Sequence, residues 1–569
     1  MAKAREKMIW KTYEANPRLQ KTLTDRLGVS DIFAQVLLNR GLRTTSDAEE
    51  FLFGGLSSCG DPFLMKDMEK AVSRIKKAVE KKEKILIYGD YDVDGVTSTA
   101  LLADIFQRLG ANYETFIPNR LEEGYGLNIR AVALARDHGV KLIVTVDCGI
   151  NSRDEVECAN SYGIDVIVTD HHEVKGKKRP PAFAIVDPHQ GECGYPFKYL
   201  AGVGVAYKLA RALMKGDEKV VDKHLDLVAL GTIADIVPLK GENRILAKNG
   251  LKKLKMTDKP GIKALMDVAG VKADMLTCRH IGFALAPRIN AMGRVGSANV
   301  ALDLLMCKNE KEAHEIARIL DRENRNRQNI EKDILKDALR RAKEEINLDE
   351  ENIIVLADEA WHPGVIGIVA SRLAEEYSKP AILIALEGDK GKGSGRGVEG
   401  FNLFEAINDV DEYLIDFGGH EQACGIKIKK ENIGLFRKDL NKAAKKYITG
   451  EEKILPELKI DFQLPFSHIG LKLIKELEML MPHGPDNSEP VFSTGGIKVK
   501  NRPRDIGRNG FKFLGSCGNL TCEAVTFSKN GINRPEPGNI INLAYTPSVN
   551  SWRGIDSIQL NIKDLKIVD

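Results

Sequence analysis

Four short motifs in this chain place acidic side chains next to glycine or histidine. In chain order they read GDYDVDG (89–95), TVDCG (145–149), TDHHE (169–173) and GTIADIVP (231–238). Carboxylates crowded into one place repel each other unless cations neutralise them. Oxygen and imidazole ligands without thiolates suit two Mn²⁺ ions, with Mg²⁺ as the alternative. The residues that could form such a site are Asp90, Asp92, Asp94, Asp147, Asp170, His171, His172 and Asp235.

Each motif taken alone has an ordinary explanation. An acidic stretch with glycine after a strand is usually a turn that caps a helix, and paired histidines usually lie in the core or on the surface. A single aspartate after an apolar strand says almost nothing. The combination is informative because all four motifs occur in order and three of them follow predicted strands.

The elements around the motifs predict a parallel α/β sheet over residues of about 80–240. Predicted helices at 96–109, 129–138 and 153–162 each end at a glycine, which is a helix C-cap signal. Each is followed by a β-rich segment, at 113–117, 141–146 and 165–169, and a further strand at 84–88 precedes the first motif. Ligands bind at the carboxyl ends of the strands in such sheets. We therefore expect the first three motifs to converge on one edge.

The remaining segments predict four further regions. Residues of about 308–347 lack Gly and Pro and predict a polar connector helix of roughly 40 residues, about 60 Å long. A second α/β unit follows, with strands at 353–356 and 381–386, a helix at 365–377 and glycine-rich loops at 391–397 and 418–420. Alternating apolar residues after about 455 predict an antiparallel β-barrel of OB type. The predicted domains are 1–50 (helical extension), 51–307 (catalytic α/β domain), 308–349 (connector helix), 350–452 (second α/β domain) and 453–569 (OB-type barrel).

Composition narrows the class of protein further. The net charge of +3 does not by itself indicate a nucleic-acid partner. No apolar run approaches the roughly 18 residues of a membrane span, and the basic N-terminus lacks the apolar core of a signal peptide. The nine cysteines form no CxxC pair, which favours reduced thiols over disulfides or structural zinc. We expect a cytoplasmic protein without a membrane partner.

The four motifs in this order resemble those of the DHH phosphoesterase superfamily. Over residues of about 40–569 the chain resembles its RecJ branch, the single-strand-specific DNA exonucleases. The GSGRG and GGHEQACG stretches resemble the DHH-associated domain, and the β-rich tail resembles the OB domain of that branch. The resemblance implies a single-stranded-DNA-specific 5′-to-3′ exonuclease that releases 5′-mononucleotides in DNA repair and recombination.

The resemblance also implies a role for each motif residue. The matching metal ligands are Asp92, Asp94, Asp147, His171 and Asp235, with Asp147 as the bridge. His172 matches the histidine that faces the scissile phosphate, and Asp170 would orient the histidines. Asp90 is a further candidate ligand, since some relatives have a ligating histidine two residues earlier, where this chain has Tyr88. Two metals about 3.5–4 Å apart would lower the pKa of a bridging water, so no protein nucleophile is needed.

A second set of residues is predicted to bind the substrate. Arg120, Arg288 and Arg294 are expected in loops, and Ser394 and Arg396 belong to the predicted glycine-rich loop whose backbone N–H groups could hold a phosphate. His420 faces the cleft in relatives. By resemblance, Ser394 and Arg396 with one of these arginines would bind the 5′-terminal phosphate and so set the polarity.

Two alternative functions stay open on the sequence. One is a small-nucleotide phosphodiesterase of the oligoribonuclease or cyclic-dinucleotide type, which the connector helix and the barrel disfavour. The other is a non-catalytic replication scaffold, which the intact ligand set disfavours. The expected partners are single-stranded DNA, a single-strand-binding protein and recombination or mismatch-repair helicases, and the resemblance favours a monomer. Discrimination between RNA and DNA is not predicted.

Overall fold

The computed structural model describes residues 8–119, 123–124, 126–174, 179–348, 350–447, 457–507, 510–527, 532–552 and 555–568. The helices are α1 Pro17–Leu27, α2 Asp31–Asn39, α3 Thr45–Phe53, α4 Met68–Glu80, α5 Val93–Arg108, α6 Ile129–Asp137, α7 Arg153–Ser161, α8 Gly202–Leu213, α9 Glu218–Asp222, α10 Leu225–Ala234, α11 Gly241–Lys255, α12 Pro260–Val268, α13 Cys278–His280, α14 Ala286–Val295, α15 Asn299–Met306, α16 Glu310–Glu345, α17 Ile366–Tyr377, α18 Leu403–Asn408, α19 Ile433–Ala444 and α20 Leu471–Glu478. The strands are β1 Ile9–Thr12, β2 Lys84–Gly89, β3 Asn112–Phe116, β4 Val140–Val146, β5 Asp165–Thr169, β6 Ala184–Val186, β7 Ile354–Asp358, β8 Ala381–Glu387, β9 Lys390–Arg396, β10 Leu414–His420, β11 Ala423–Lys429, β12 Glu457–Ile460, β13 Phe462–Gln463, β14 Phe492–Val499, β15 Arg504–Ile506, β16 Gly510–Cys517, β17 Leu520–Thr526, β18 Ile540–Trp552 and β19 Ile555–Ile567. None of the helices in these ranges combines the length and apolar composition that crossing a bilayer requires.

The catalytic sheet has the order β3-β2-β4-β5-β6, and every neighbouring pair is parallel. Its strands are buried on both faces, which explains their nearly continuous apolar sequences. Helices α6 and α7 cover one face, and α4, α5 and α8 cover the other. The predicted parallel sheet is confirmed, with strand bounds within one residue of those expected. The predicted helix at 96–109 begins three residues earlier, because the Asp92 side chain caps it.

The long predicted helix is confirmed as α16, of 36 residues, or about 54 Å. It is more than a solvated connector, because it has an apolar face. Its first half packs on α12, α14 and α15. In its second half, Ile334, Ala338 and Ala342 join the core formed by α17 and the sheet of the second α/β domain.

The second α/β domain contains a mixed sheet of order β10-β11-β9-β8-β7. The prediction of glycine-rich loops at 391–397 and 418–420 is wrong, because these residues form β9 and the end of β10. Alternate glycines of β9 face a covered side of the sheet. An added Cβ would lie 2.5 Å from Ile384 at Gly391 and 2.5 Å from Ile426 at Gly393. The glycines therefore make room for close packing and do not form a flexible loop.

The C-terminal sheet confirms the predicted OB-type barrel. Its order is β13-β14-β18-β19-β17-β16-β15, and an additional pairing of β14 with β16 closes five of these strands into a barrel. The alternation seen in the sequence is the inward face, where Ile497, Val499, Phe511 and Phe513 are buried. One closing pair, β17 with β19, is parallel, whereas the sequence predicted only antiparallel pairs.

The chain forms two compact units, and the barrel belongs to the unit that also contains the N-terminal helices. This unit comprises residues 8–61, 236–249 and 457–568, and the other comprises 62–235 and 250–447, within the described ranges. Strand β1 pairs in parallel with β12, and apolar residues of α1, α2 and α3 share one core with the barrel strands and α20. No sequence pattern predicted this position for the N-terminal segment.

Candidate metal centre

The first acidic motif follows β2 and is shaped by the start of α5. Asp92 is the N-cap of this helix, and its Oδ1 accepts hydrogen bonds from the N–H groups of Asp94 at 2.9 Å and Gly95 at 3.1 Å. An acidic N-cap is favourable, because helix N-termini carry unpaired N–H donors and partial positive charge. The motif thus places Asp92 at the carboxyl edge of the sheet by a local rule.

Asp94 is buried and is held by the beginning of another helix. Its two carboxylate oxygens accept the N–H groups of Gly202, at 2.6 Å, and Val203, at 2.8 Å, in the first turn of α8. The same turn lies close to Asp147, because a Cβ added at Gly202 would be 2.6 Å from Asp147 Oδ1. A larger residue at 202 would therefore displace both carboxylates.

Asp147 and His171, which follow β4 and β5, bring the motifs together. His171 Nε2 lies 3.1 Å from Asp147 Oδ1, 3.6 Å from Asp235 Oδ2 and 3.9 Å from Asp94 Oδ2. Asp147 reaches this position with a φ of 62°, a conformation that few non-glycine residues adopt. The predicted convergence of the motifs on one sheet edge is confirmed.

Three overlapping groups of residues offer potential ligand atoms. Within each group, these atoms lie within 4.8 Å of one another. The groups are Asp147–His171–His172, Asp94–His171–Asp235 and Asp90–Asp92–Asp147. Asp147 and His171 each belong to two of the groups. His171 Nε2 is buried and makes no hydrogen bond within the described part of the chain, so its lone pair suits a metal. The donor set therefore fits two divalent cations.

The electrostatics of the site also favour cations. Burial, together with the charges of Asp94, Asp92, Asp235 and Asp90, raises the pKa of Asp147 well above its usual value. Burial and the charge of Asp92 raise the pKa of Asp94 to about 7. Asp235 caps the C-terminal end of α10, where the partial charge is already negative, and burial raises its pKa as well. Burial and the neighbouring His172 lower the pKa of His171 to about 3, which keeps its imidazole neutral for ligation.

Asp170 lies in hydrogen-bond contact with both residues of the histidine pair. Its Oδ1 accepts the N–H group of His171 at 2.7 Å and lies 2.7 Å from His172 Nδ1, and its Oδ2 accepts the N–H group of Ile150 at 2.9 Å. Burial alone would lower the pKa of His172, but the hydrogen bond to Asp170 and the charge of that carboxylate outweigh burial and raise it. Asp170 therefore holds a proton on Nδ1 and leaves Nε2 at the opposite side of the ring.

Three family models match the chain. The N-terminal domain of the DHH family matches residues 84–232, the DHHA1 domain matches 350–446 and the RecJ OB domain matches 460–564. The single-stranded-DNA-specific exonuclease RecJ of Bacillus subtilis (strain 168) is 39% identical over 566 residues, which are 99% of this chain and 71% of that protein. The RecJ of Escherichia coli (strain K12) is 34% identical over 94% of this chain and 95% of that protein. This chain belongs to the RecJ family of single-stranded-DNA-specific exonucleases.

A solved structure of the family agrees with the fold. The crystal structure of RecJ in complex with Mn²⁺ from Thermus thermophilus superposes with a TM-score of 0.83 at 29% identity, and the match covers 98% of this chain and 79% of that one. A second structure, of RecJ from the same source in complex with Mg²⁺, superposes with a TM-score of 0.78 at 27% identity, over 98% of this chain and 78% of that one.

Tyr88 occupies the place where some DHH relatives have a histidine ligand. In this RecJ-family chain its ring is buried between the sheet and α6 and stacks on Phe116. Its hydroxyl donates to the Gly126 carbonyl at 2.8 Å and accepts from Asn128 Nδ2 at 2.9 Å. Tyr88 is thus a core residue, and Asp90 is the residue of this motif that lies among the candidate ligands.

Part of the predicted substrate-binding set lies on one face of the second sheet. In the register, His420 of β10 is opposite Ala423 of β11, which is opposite Arg396 of β9. Opposed residues share a face, and so does Ser394, two residues from Arg396. The Arg396 guanidinium donates to Ser394 Oγ at 3.2 Å and to the Gly395 carbonyl at 2.7 Å. The ladder of β9 with β8 and β11 occupies its backbone N–H groups, so the expected backbone phosphate cradle is not formed.

The predicted arginines have different surroundings. Arg288 and Arg294 lie on α14 and not in loops, because the stretch from Ala286 continues as a helix to Val295. Arg288 forms an ion pair with Asp321 and donates to the Ala284 carbonyl, which ties it to α16. Arg294 donates to the Gly364 carbonyl at 3.1 Å, just before α17. Arg120 lies outside the described residues.

Three hydrogen bonds around the metal centre were not predicted from the sequence. Gly202 and Val203 bind Asp94, and the side-chain oxygen of Asn290 accepts the N–H group of Val93 at 3.1 Å. The stretch AGVGVA, which opens α8, was a usable signal, because paired glycines at a helix start allow close backbone approach. Asn290 lies in the same stretch as Arg288 and Arg294, but an amide alone carries no metal-site signal.

Proposed function

We propose that this single-stranded-DNA exonuclease of the RecJ family degrades DNA from the 5′ end, releases 5′-mononucleotides and uses two divalent cations, Mn²⁺ or Mg²⁺. The observation that carries the proposal is the set of buried carboxylates around His171 at the carboxyl edge of the catalytic sheet. RecJ of Thermus thermophilus has been crystallised with either ion. The same acidic centre would be too negative to approach DNA without cations.

Five residues would hold the cations: Asp92, Asp94, Asp147, His171 and Asp235, with Asp147 between the two sites and Asp90 beside the first. When bound, such cations lower the pKa of water and neutralise the charge on a phosphate. Asp94 is fixed by α8 and Asp92 by α5, so the ligands are preorganised by helix N-termini.

The histidine next to the metal ligands would contact the scissile phosphate. Asp170 holds the Nδ1 proton of His172, which fixes the ring and presents Nε2 to the substrate. The Nε2 atom on the opposite side of this ring is then the one that would face a phosphate oxygen. His172 would therefore bind and orient the phosphate and would not act as a nucleophile.

Polarity would come from a second phosphate site on the other sheet. Ser394, Arg396 and His420 share one face, and Arg294 approaches this domain from α14. A guanidinium and a hydroxyl in contact suit the terminal phosphate of a 5′ end. Arg288 is engaged by Asp321 and is the weaker candidate for this role.

The wider setting of the enzyme is also a proposal. We place it in DNA repair and recombination in the cytoplasm, acting as a monomer beside a single-strand-binding protein and a repair helicase. The domain bounds that we propose are 1–50, 51–307, 308–349, 350–452 and 453–569, with the N-terminal segment serving as part of the barrel unit.

The first test is Mn²⁺-dependent digestion of single-stranded DNA labelled at one end. We expect mononucleotides from the 5′ end, little digestion of blunt duplex, and a loss of at least about a thousandfold in Asp147→Ala, which removes the proposed bridging ligand. Asp137→Ala is the matched control, because Asp137 is an exposed residue of α6 that pairs only with a neighbouring arginine among the described contacts. Rapid cleavage of dinucleotides without degradation of long DNA would favour the small-nucleotide phosphodiesterase. No metal-dependent hydrolysis at all would favour the scaffold.

The polarity proposal needs a separate test. We expect Arg396→Ala to raise KM for DNA with a 5′-phosphate more than about tenfold while DNA with a 5′-hydroxyl changes little, because the charge-assisted contact is lost. An equal change on both substrates would contradict a terminal phosphate site. Lys392→Ala is the control, since Lys392 lies four residues earlier on the same face of β9.

A further inference from the structure

Helix α14 lies against the loop that carries the first acidic motif. Asn290 Oδ1 accepts the N–H group of Val93 at 3.1 Å. One turn later, a Cβ added at Gly293 would lie 2.9 Å from the Tyr91 carbonyl oxygen. The helix thus contacts residues 91–93 at two successive turns, and its glycine allows the close approach.

The Asn290 contact satisfies a backbone donor that the loop cannot satisfy itself. The N–H groups of Val93, Asp94 and Gly95 open α5 and have no partner within the helix. Asp92 Oδ1 accepts two of them, from Asp94 and Gly95. The third, from Val93, goes to Asn290. Val93 is buried, so this donor would lose its partner if the amide were removed.

The next residues of α14 approach the second α/β domain. Arg294 donates to the Gly364 carbonyl, and a Cβ added at Gly364 would lie 2.4 Å from the Arg294 carbonyl oxygen. Three residues later, a Cβ added at Gly367 would lie 2.8 Å from Ser394 Oγ. One short helix therefore touches the metal loop and the segment beside the proposed phosphate site.

We propose that Asn290 is a positioning residue of the metal centre. It holds Val93, and through it the backbone between Asp92 and Asp94, in the conformation that directs both carboxylates at the cations. This inference rests on the proposed two-cation function. Asn290 acts through the loop without touching the substrate, and α14 keeps the loop in a fixed relation to Ser394 and Arg396.

Mn²⁺ binding to the full-length protein tests the proposal without relying on activity. In isothermal titration calorimetry, Asn290→Ala should bind Mn²⁺ about tenfold more weakly than the wild type, in the range seen when outer partners of ligands are removed. Exonuclease rates should recover to within about threefold of wild type at saturating Mn²⁺. KM for DNA should stay unchanged. Asn290→Asp keeps an oxygen acceptor and should bind Mn²⁺ at least as well as wild type.

Controls separate this role from a general loss of structure. Asn249→Ala removes an amide that bonds only to the Ile245 carbonyl of its own helix among the described contacts, and should leave Mn²⁺ affinity unchanged. Unchanged Mn²⁺ affinity in Asn290→Ala would overturn the proposal. A raised KM for DNA that Mn²⁺ does not restore would also overturn it, since Asn290 would then bind substrate. If Asn290→Ala does not fold, weaker Mn²⁺ binding by a folded Asn290→Asp overturns it equally.

The wild-type measurements keep the two proposals apart. A wild-type protein that binds no Mn²⁺ and cleaves no DNA would defeat the proposed function itself. A wild type that does both, beside an Asn290→Ala variant indistinguishable from it, would defeat only the positioning role.

Discussion

Asp147 has two energetically unfavourable features, a strained backbone and a buried carboxylate. Its backbone is in the left-handed region at a φ of 62°, and its carboxylate is buried among other carboxylates. Strain of this kind persists where the surrounding structure imposes it, and it is concentrated at functional sites. The metal-free centre is therefore electrostatically unstable, and that instability has a measurable pH dependence.

We expect the metal-free protein to become more stable as pH falls. The folded-state pKa of Asp94 is about 7, against an ordinary value of 3.8, and burial raises the pKa of Asp147 well above that ordinary value. Between these values these carboxyls bind more protons in the folded state than in the unfolded state, so their contribution to the free energy of unfolding decreases as pH rises from about 4 to 7. The thermal midpoint in EDTA should therefore rise when pH is lowered from about 8 to about 5.

Metal should remove this dependence, because bound cations neutralise the same carboxylates. In saturating Mn²⁺ the midpoint should be higher and nearly flat above about pH 6, since metal competes with protons. Asp147→Asn should show a shallower slope in EDTA than wild type. A flat midpoint for the wild type in EDTA across the same pH range would contradict the raised pKa values.

The convergence of the acidic motifs was predictable from the sequence because the motifs follow identifiable elements. Asp92, Asp147 and His171 follow strands whose apolar sequences are unambiguous, and the sheet rule then brings them to one edge. The contact of Asn290 was not predictable, because it depends on which helices reach that edge. No local pattern specifies a long-range hydrogen bond to a side-chain amide oxygen.

At the scale of elements, β9 shows how composition can mislead. Its sequence KGKGSGR is typical of a loop, since glycine weakens isolated strands. Here the glycines face Ile384, Ile426 and Leu403, which fill the space that side chains would take. The strand exists because its neighbours β8 and β11 supply the apolar surface, and that is tertiary information.

Replacing a glycine by alanine should therefore lower the stability of the protein on the crowded side of this sheet but not on the open side. We expect Gly393→Ala to destabilise the protein by about 1–3 kcal/mol, because its Cβ would overlap Ile426 at 2.5 Å. The loss of stability can be measured as a lower midpoint in thermal or urea denaturation.

Gly425→Ala is the matched control on the adjacent strand. Its nearest neighbour to an added Cβ is the Gly418 carbonyl oxygen at 4.0 Å, so stability should hold or increase slightly. Equal losses of stability in both variants would show that the backbone conformation of these residues, and not steric crowding, requires glycine at these positions.

At the scale of the whole molecule, the barrel unit is built from segments that lie far apart in the sequence. Phe33 and Leu37 of α2 lie in one core with Leu477 of α20 and Phe492 of β14. The parallel sheet, the long helix α16 and the second α/β domain were predictable from local periodicity and motifs. The packing of the N-terminal helices on the distant barrel was not predictable, because the sequence of an apolar helix face does not indicate which element covers it.

The solubility of truncated proteins should show that the N-terminal helices and the barrel share one core. Removing residues 455–569 alone exposes the apolar faces of α1, α2 and α3, and we expect a poorly soluble product. Removing residues 1–61 as well should restore solubility, because both halves of the shared core are then absent. Sedimentation of cell lysates and size-exclusion chromatography would measure the difference. Equal solubility of the two truncated chains would contradict the shared core.

The pairing of β1 with β12 joins positions about 450 residues apart along the chain. The two strands can pair only after the residues between them have been synthesised. At roughly 5–20 residues per second, a ribosome needs about 20–90 s to make the intervening polypeptide. During that interval the nascent N-terminal helices have emerged while their partner strands do not yet exist. This unit must therefore complete its folding after most of the chain has been translated.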